Sequence, residues 1–363
     1  LELKPFRPRS LTCWLPAAPS PCLAPARAMA AIKKEVEDFV AKLGKKDAAQ
    51  GALEAMAAMA KEKSAAAEPF LVGALDKVLE AAADKQKPVA AAAVEAAKTI
   101  AECMSPYAID AVMPHLLAGL AVKAKPPTKE ATLNFIAKIT ESNPKAIGYA
   151  LVTLCAPVAE LTCDIKKEVK AAALACMTAI SGCTGNRDLE PFLPAVVEAA
   201  SSITNTHKCV EKLAGCIFVQ NVETPALAVM LPVLSRGLND KSEEVRRTCC
   251  LIVDNMCKVV EDPAAVVPVM PKLEPLVKSA TEKISDPEAR AVAERAYGTM
   301  SKAAEGAELK QATVESATAM LREACGSLDE DAELFLPYVA TLAAAAANMR
   351  SYEPEKWKSG VAL

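Results

Sequence analysis

Apolar residues recur at helical spacing on both sides of a short polar turn near residue 240. On the N-terminal side they follow steps of four, three and four residues, at Leu227, Leu231, Leu234 and Leu238. This spacing places one apolar stripe on one face of a helix. After Gly237 and Asp240, which we interpret as turn residues, Ser242 is predicted to cap a second helix whose apolar stripe starts at Val245. That second stripe is wide, so the helix needs neighbours on more than one side.

The same spacing recurs along the chain. A proline in the first helix is followed by an aspartate in the turn, and five and six residues after the aspartate come an aliphatic and a basic residue. This is the signature of a HEAT repeat, and it assigns structural roles to Pro232, Asp240, Val245, Arg246, Asp164, Val169 and Lys170. Paired helices with a period near forty are typical of an α-solenoid. We predict an all-α superhelix of about six to seven HEAT repeats, followed by the start of a further helical segment.

Prolines mark the first helix of each predicted repeat. They are spaced between 37 and 45 residues apart, at Pro69, Pro114, Pro157, Pro194, Pro232 and Pro271. A proline inside a helix removes one backbone hydrogen bond and bends the helix. The first helices are therefore predicted to be kinked or split.

The chain divides into three segments. Residues 1–28 contain six prolines and one acidic residue without a helical period, which predicts a disordered leader. We interpret it as translated sequence upstream of Met29, and an organelle transit peptide is the alternative. Residues 29–306 are predicted to form the solenoid. Residues 307–363 are predicted to form further helices and to end within an element, as in a fragment.

Composition and cysteine usage narrow the class of protein. The chain has 52% hydrophobic and 4% aromatic residues, a composition that favours closely packed helices. No apolar run reaches the ~18 residues of a membrane span. The 13 cysteines form no C-x-x-C pair, so we expect small buried side chains in a reducing compartment, for example Cys176, Cys216 and Cys250. We expect a soluble, cytoplasmic protein.

Catalytic and cofactor sites are not predicted. The chain has 2 histidines, too few for zinc ligation beside cysteine pairs or for a nucleophile with its base. Gly44-Lys45-Lys46 is the nearest approach to a phosphate-binding loop, and it has neither the first glycine nor the hydroxyl residue. We predict no catalytic residue, no metal site and no cofactor in this chain.

Basic residues cluster at two predicted turns. Stacked repeats could align them in a stripe along one edge, where they would contact RNA phosphates. The candidates are Lys166, Lys167, Arg236, Lys241 and Arg247. The alternative is a ladder of inter-repeat ion pairs with the acidic residues of the same turns. Arg246 and Lys170 occupy the basic position of the HEAT signature, which favours the ladder for these two residues.

Three strings resemble the N-terminal HEAT domain of the translation elongation factor three family. Residues 252–263 read IVDNMCKVVEDP, with LPVLSRGLND before and SDPEARAVAERA after them. Residues 163–179 and 107–120 resemble the same domain in the same order. The resemblance covers about residues 33–358 and is more specific than the general HEAT signature.

The resemblance implies an ABC-type ATPase that promotes release of deacylated tRNA from the ribosomal exit site. Two nucleotide-binding domains would follow the HEAT region and a four-helix bundle, so residues 307–363 would lead into a truncated bundle. The HEAT domain would be a docking arm for the small-subunit head of the ribosome. Elongation factor one alpha is a further implied partner, and membrane and DNA are not. ATP and magnesium would bind only in the ABC domains, which this sequence does not contain.

Two other interpretations stay open at this point. The large general-control scaffold that senses stalled ribosomes has a central region similar to this HEAT domain. A nuclear-transport or phosphatase scaffold would share only the general HEAT signature.

Overall fold

A computed structural model of the chain describes residues 23–45 and 47–305. In these residues the chain is α-helical, with short 3-10 turns and no strand. The helices are α1 (Leu23–Leu43), α2 (Ala49–Gly73), α3 (Leu75–Ala81), α4 (Lys87–Cys103), α5 (Ile109–Leu120), α6 (Pro126–Ser142), α7 (Pro144–Leu161), α8 (Lys167–Ser181), α9 (Leu193–Ser201), α10 (Thr206–Ala214), α11 (Thr224–Leu238), α12 (Glu243–Lys258), α13 (Met270–Lys283) and α14 (Pro287–Ala303). The predicted all-α solenoid is confirmed.

The helices form two layers. The second helices of consecutive repeats pack side by side, α4 on α6, α6 on α8, α10 on α12 and α12 on α14. The first helices form the other layer, with α5 on α7 and α11 on α13. Away from the short helices α9 and α10, each pair thereby buries its apolar stripe against both neighbours, as the width of the stripe on α12 required.

One repeat interrupts this regular stack. Its helices α9 and α10 have 9 residues each, and α7 packs directly against α11 beyond them. After α10 the chain runs without helix from Gly215 to Glu223. Short helices leave part of the layer unfilled, and the long first helices on either side close over the gap.

The signature valines are buried as predicted. Val169 and Val245 lie in the core between stacked helices, and Cys176, Cys216 and Cys250 are buried beside them. Burial raises the pKa of the Cys176 and Cys250 thiols to about 12. Such thiols stay protonated and pack as small apolar groups.

Some first helices are bent or split, as predicted, whereas α7 and α11 are continuous helices with prolines in their interior. Pro69, Pro114, Pro157 and Pro232 lie inside α2, α5, α7 and α11. Helix α2 bends at Ser64, whose φ is 34°. Separate 3-10 turns precede α5 and α9, at Pro106–Ala108 and Glu190–Phe192.

The turn aspartates have a local structural role. The carboxylates of Asp84, Asp164 and Asp240 accept the backbone N–H two residues later, at 2.8, 2.9 and 2.8 Å. Each bond closes the turn between the two helices of a repeat. Ser242 occupies the N-cap position of α12, as predicted, but its hydroxyl makes no capping bond.

Polar residues at the starts of first helices reach a neighbouring repeat. The Ser105 hydroxyl donates to Glu68 Oε2 at 2.9 Å and the Asn143 amide donates to the Met104 carbonyl at 2.9 Å. The Thr224 hydroxyl donates to the Ala265 carbonyl at 3.0 Å. These bonds join residues 37 to 41 positions apart, which is one repeat. The side chains therefore tie repeats together instead of capping their own helices.

Gly237 is a packing residue and not a turn residue. Helix α11 continues through it to Leu238, and its φ is not positive. A Cβ at this position would lie 2.3 Å from Cys249 Sγ and 3.6 Å from Val245 Cγ1. Only glycine lets the end of α11 approach α12 this closely.

We expect Gly237→Ala to lower the free energy of unfolding by about 1–3 kcal/mol, because the added methyl group overlaps a buried thiol. Gly298→Ala is the matched control, since a Cβ there meets nothing within 4 Å. In the interior of α14 the control should raise stability by up to about 1 kcal/mol through helix propensity. Urea denaturation measures both, and equal stabilities would contradict the packing role of Gly237.

The boundaries of the solenoid differ from the prediction at the N-terminus. Helix α1 begins at Leu23, so residues 23–28 are helical although they were assigned to the disordered leader. Residues 1–22 and the predicted helices of 307–363 lie outside the described residues.

Candidate functional site

One edge of the solenoid consists of the turns between the first and second helix of each repeat, and we call it the turn edge. Hydrogen bonds join neighbouring turns along it. Lys129 Nζ lies 3.4 Å from Asp164 Oδ2, and the Thr162 hydroxyl donates to the Ala200 carbonyl at 3.2 Å. Farther along, Glu243 Oε1 accepts the Ser285 N–H at 3.0 Å. The turns therefore form one continuous surface.

Three of the five candidate contact residues extend from this edge into solvent. Lys166 and Lys167 stand at the start of α8, and Lys241 stands at the tip of the α11–α12 turn. All three are exposed. Their ammonium groups form no ion pair with the described part of the chain. These lysines are free to contact an anionic partner.

The other two candidates are engaged within the protein. The Arg236 guanidinium donates to the carbonyls of Ala199 and Ala200, at 2.5 and 2.9 Å. It therefore satisfies the C-terminal carbonyls of α9 and joins two repeats. Arg247 is partly exposed and lies 3.3 Å from Glu244 in its own helix. Arg236 is a structural residue, and Arg247 is a weaker candidate than the three lysines.

The predicted ladder of inter-repeat ion pairs has a different composition. Arg246 is buried, pairs with Glu243 of its own helix at 3.6 Å and donates to the Asp240 carbonyl at 2.6 Å. Its bond to the next repeat goes to the Lys283 carbonyl, at 3.5 Å. Arg246 thus pairs with a predicted partner, Glu243, but within its own repeat, and its contact with the next repeat is to a backbone carbonyl. Lys170 is exposed and forms no ion pair within the described residues.

An unpredicted pair provides the charged contact between repeats at the α7–α8 turn. The Asp164 carboxylate accepts the Lys166 N–H and faces the Lys129 ammonium of the preceding repeat. The hydrogen bond from the Lys166 N–H lowers the pKa of Asp164 below its ordinary value, and the Lys129 ammonium adds to this effect. Together they outweigh partial burial, which acts in the opposite direction. Lys129 lies in the first turn of α6, outside the repeat signature, which is why sequence spacing did not identify it.

The aliphatic residues of the turn edge were not predicted from the sequence. Ile165 follows the turn Asp164 and is 96% exposed, and Val122 and Ile203 in the neighbouring turns are 93% and 73% exposed. In the sequence they look like ordinary core residues. The available signal was position, since Lys85 and Lys241 hold the same place after Asp84 and Asp240.

The described residues offer no arrangement for metal or nucleophilic chemistry. No group of three or more His, Cys, Asp and Glu residues there could hold a metal ion. His115 is partly exposed, and burial lowers its pKa against the opposing effect of Asp76. Within the same residues, no helix is both long and apolar enough to cross a membrane. The surface chemistry of this region is that of charged and aliphatic side chains at the turns.

Two family models match the chain. The model described as EF3 N-terminal HEAT repeat matches residues 20–177, and the model described as Elongation factor 3/GNC1 HEAT repeat matches residues 204–311. Together they include nearly all the helices of the solenoid. The first match ends within α8 and the second begins just before α10, so the short helix α9 lies between them.

Curated relatives agree with the family models. Elongation factor 3 of Candida albicans is 33% identical over 308 residues, 82% of this chain and 29% of the relative. Elongation factor 3A of Saccharomyces cerevisiae is 34% identical over 270 residues, 73% of this chain and 26% of the relative. Elongation factor 3 of Phytophthora infestans is 38% identical over 233 residues, 64% of this chain and 22% of the relative. The chain thus spans less than a third of the length of these relatives.

Among solved structures, a designed armadillo repeat protein in complex with the peptide (KR)4 aligns with 74% of this chain and 99% of its own. The TM-score is 0.31 and the sequence identity is 18%.

Proposed function

Because this chain belongs, through its HEAT repeats, to the elongation factor 3 family, we propose that it is the ribosome-binding region of an elongation factor 3-type translation factor. The carrying observation is the match of two elongation factor 3 HEAT models across residues 20–177 and 204–311. A solenoid offers an extended surface without a catalytic centre, which suits a docking role.

The proposed contact residues are the lysines of the turn edge. Lys166, Lys167 and Lys241 are exposed and unpaired within the described residues, so they can neutralise phosphates of ribosomal RNA or carboxylates of ribosomal proteins. Arg247 can add to this surface if its guanidinium leaves Glu244 and binds an anionic group of the ribosome. The proposed docking site on the ribosome is the head of the small subunit.

The activity of the whole protein is a further part of the proposal. A complete elongation factor of this family would bind ATP and magnesium in ABC domains outside this sequence. It would promote release of tRNA from the exit site, in the cytoplasm, with elongation factor one alpha as a second partner. The HEAT region would hold that ATPase on the ribosome.

Reversing Lys166, Lys167 and Lys241 to Glu should weaken co-sedimentation with ribosomes by roughly tenfold or more at physiological salt. The slope of log affinity against log salt should also fall, by about one for each lysine that contacts an RNA phosphate. The fold should survive, because none of the three side chains is buried.

The matched control reverses Lys61, Lys98 and Lys145, which are exposed on α2, α4 and α7 away from the turn edge. It changes the net charge by the same amount. Equal losses in both variants would indicate a nonspecific charge effect and contradict the turn edge as the docking surface.

The general-control scaffold is the alternative within the same family model, which is described for both proteins. Sequencing the transcript beyond Leu363 separates the two. A frame that continues into two phosphate-binding loops supports the elongation factor, whereas further HEAT repeats would favour a ribosome-binding scaffold.

A further inference from the structure

The tips of three consecutive turns carry aliphatic side chains in solvent. In a turn closed by an aspartate, the residue after the aspartate projects outward, and Lys85 and Lys241 fill that place in two repeats. Ile165 occupies it in the α7–α8 turn, where it is 96% exposed. Val122 and Ile203 extend in the same way from the turns before and after it. We call Val122, Ile165 and Ile203 the aliphatic ridge.

The ridge is one surface and not three isolated side chains. The Lys129–Asp164 pair joins the start of α6 to the turn of Ile165. The bonds from Thr162 and Cys163 to the carbonyls of Ala200 and Ser201 join that turn to the end of α9, next to Ile203. The three tips therefore belong to neighbouring turns that an ion pair and hydrogen bonds hold together.

Lysines flank the ridge. Lys123, Lys125, Lys166 and Lys167 are exposed beside Val122 and Ile165. Of the acidic groups nearby, Asp164 pairs with Lys129, and Asp76 and Glu80 pair with Lys77. Further exposed carboxylates are Glu168 in the first turn of α8 and, near the ends of α7 and α9, Glu160 and Glu198. The Glu198 carboxylate accepts a hydrogen bond from the Asn205 amide at 3.1 Å. Around Val122 and Ile165 the surface thus combines apolar tips with a cluster of four lysines.

We propose that the aliphatic ridge docks an acidic polypeptide segment of the ribosome that bears aliphatic side chains of its own. This inference rests on the proposed function and names the partner at the same edge. RNA phosphates would use the lysines and leave the aliphatic tips in water. An acidic amphipathic protein segment satisfies both, because its apolar side chains bury the ridge while its carboxylates face the lysines.

The first test replaces Val122, Ile165 and Ile203 together with serine and measures co-sedimentation with ribosomes over a range of salt concentrations. Binding should weaken by about tenfold or more, because exposed aliphatic side chains contribute to affinity only when a partner buries them. The salt slope should stay at the wild-type value, since no charge is removed. If the wild-type chain binds ribosomes and the serine variant binds them equally well, the proposal for the aliphatic ridge is overturned and the proposed function is not.

The matched control replaces Ile217 and Val219 with serine. These residues are 79% and 76% exposed but lie in the extended segment between α10 and α11, on the side of the connections between repeats. Their replacement should leave affinity unchanged. An equal loss in this control would overturn the assignment to the ridge.

The second test identifies the class of partner. A photo-crosslinking amino acid at position 165, irradiated on ribosomes, should give an adduct that survives nuclease and is removed by protease. A nuclease-sensitive adduct assigns the ridge to RNA and overturns the proposal. Failure of the wild-type chain to sediment with ribosomes, by contrast, overturns the proposed function together with the inference that rests on it.

Discussion

Replacing Val245 with aspartate should lower the free energy of unfolding by roughly 3–5 kcal/mol, because it buries a charge that has no partner. Val245 is 4% exposed in the first turn of α12. Gly237 of α11 approaches it so closely that a Cβ there would lie 3.6 Å from Val245 Cγ1. The carboxylate would have neither water nor room, so the stack should open at this repeat.

Urea denaturation followed by circular dichroism measures the effect, with Ile165→Asp as the matched control. Ile165 is an exposed aliphatic residue of the turn edge, and its replacement should change stability by less than about 0.5 kcal/mol. Val245→Asp should also lower the midpoint of thermal unfolding by many degrees. A Val245→Asp variant as stable as the Ile165→Asp control would show that the signature valine does not support the stack.

The second large effect is expected at Asp254, which joins α12 to α14. Its carboxylate is fully buried and accepts hydrogen bonds from Lys258 at 2.7 Å, Arg295 at 2.9 Å and Thr299 at 2.7 Å. Burial opposes ionisation, but the bonds from Lys258, Thr299 and Arg295 outweigh it and lower the pKa of Asp254 below its ordinary value. The group is therefore charged at neutral pH.

Asp254→Ala should cost about 2–4 kcal/mol at pH 7, because it removes three hydrogen bonds and leaves the Thr299 hydroxyl and two cations without their acceptor. The two cations are about half exposed, so water recovers part of the loss. Asp254→Asn should cost less, since the amide keeps the shape and one acceptor oxygen. Chemical denaturation of the variants gives these differences directly.

The same carboxylate predicts a pH dependence. Because its pKa is lower in the folded state than the ordinary value of about 3.9 for the unfolded chain, its contribution is complete above that value. It is lost as the pH falls through the folded-state pKa. The stability difference between wild type and Asp254→Asn should therefore shrink below about pH 3.9.

Asp38→Asn serves as the control for this pH dependence, because Asp38 is exposed on α1. Its effect on stability should be small at every pH. A wild-type advantage over Asp254→Asn that stays constant from neutral to acidic pH would contradict an ionised Asp254 in the fold.

The apolar pattern was sufficient to predict the local architecture. Helices α11 and α12 lie where the stripes around Leu231 and Val245 placed them. The signature valines are buried, and the interior prolines fall in the first helices. These features follow from interactions within a few residues of each other, which periodicity records directly.

The candidate site was predicted only in part. Lys166, Lys167 and Lys241 are exposed at the turn edge, as a contact surface requires. Arg236 belonged to the same basic cluster in the sequence, yet its guanidinium binds the carbonyls that end α9. Nothing near Arg236 in the sequence indicates those carbonyls, which lie 37 and 36 residues earlier.

The sequence by itself determined the helix pairs, their period and the membership of the elongation factor 3 family, because each is encoded in short strings and local spacing. Only the tertiary structure decided which side chains face solvent and which join repeats. Contacts with neighbouring elements revealed the roles of Gly237, Asn143 and Arg236. The lack of such contacts revealed the role of Ile165. The physical reason is that a solenoid forms its contacts one repeat away along the chain, where local periodicity carries no information about partners.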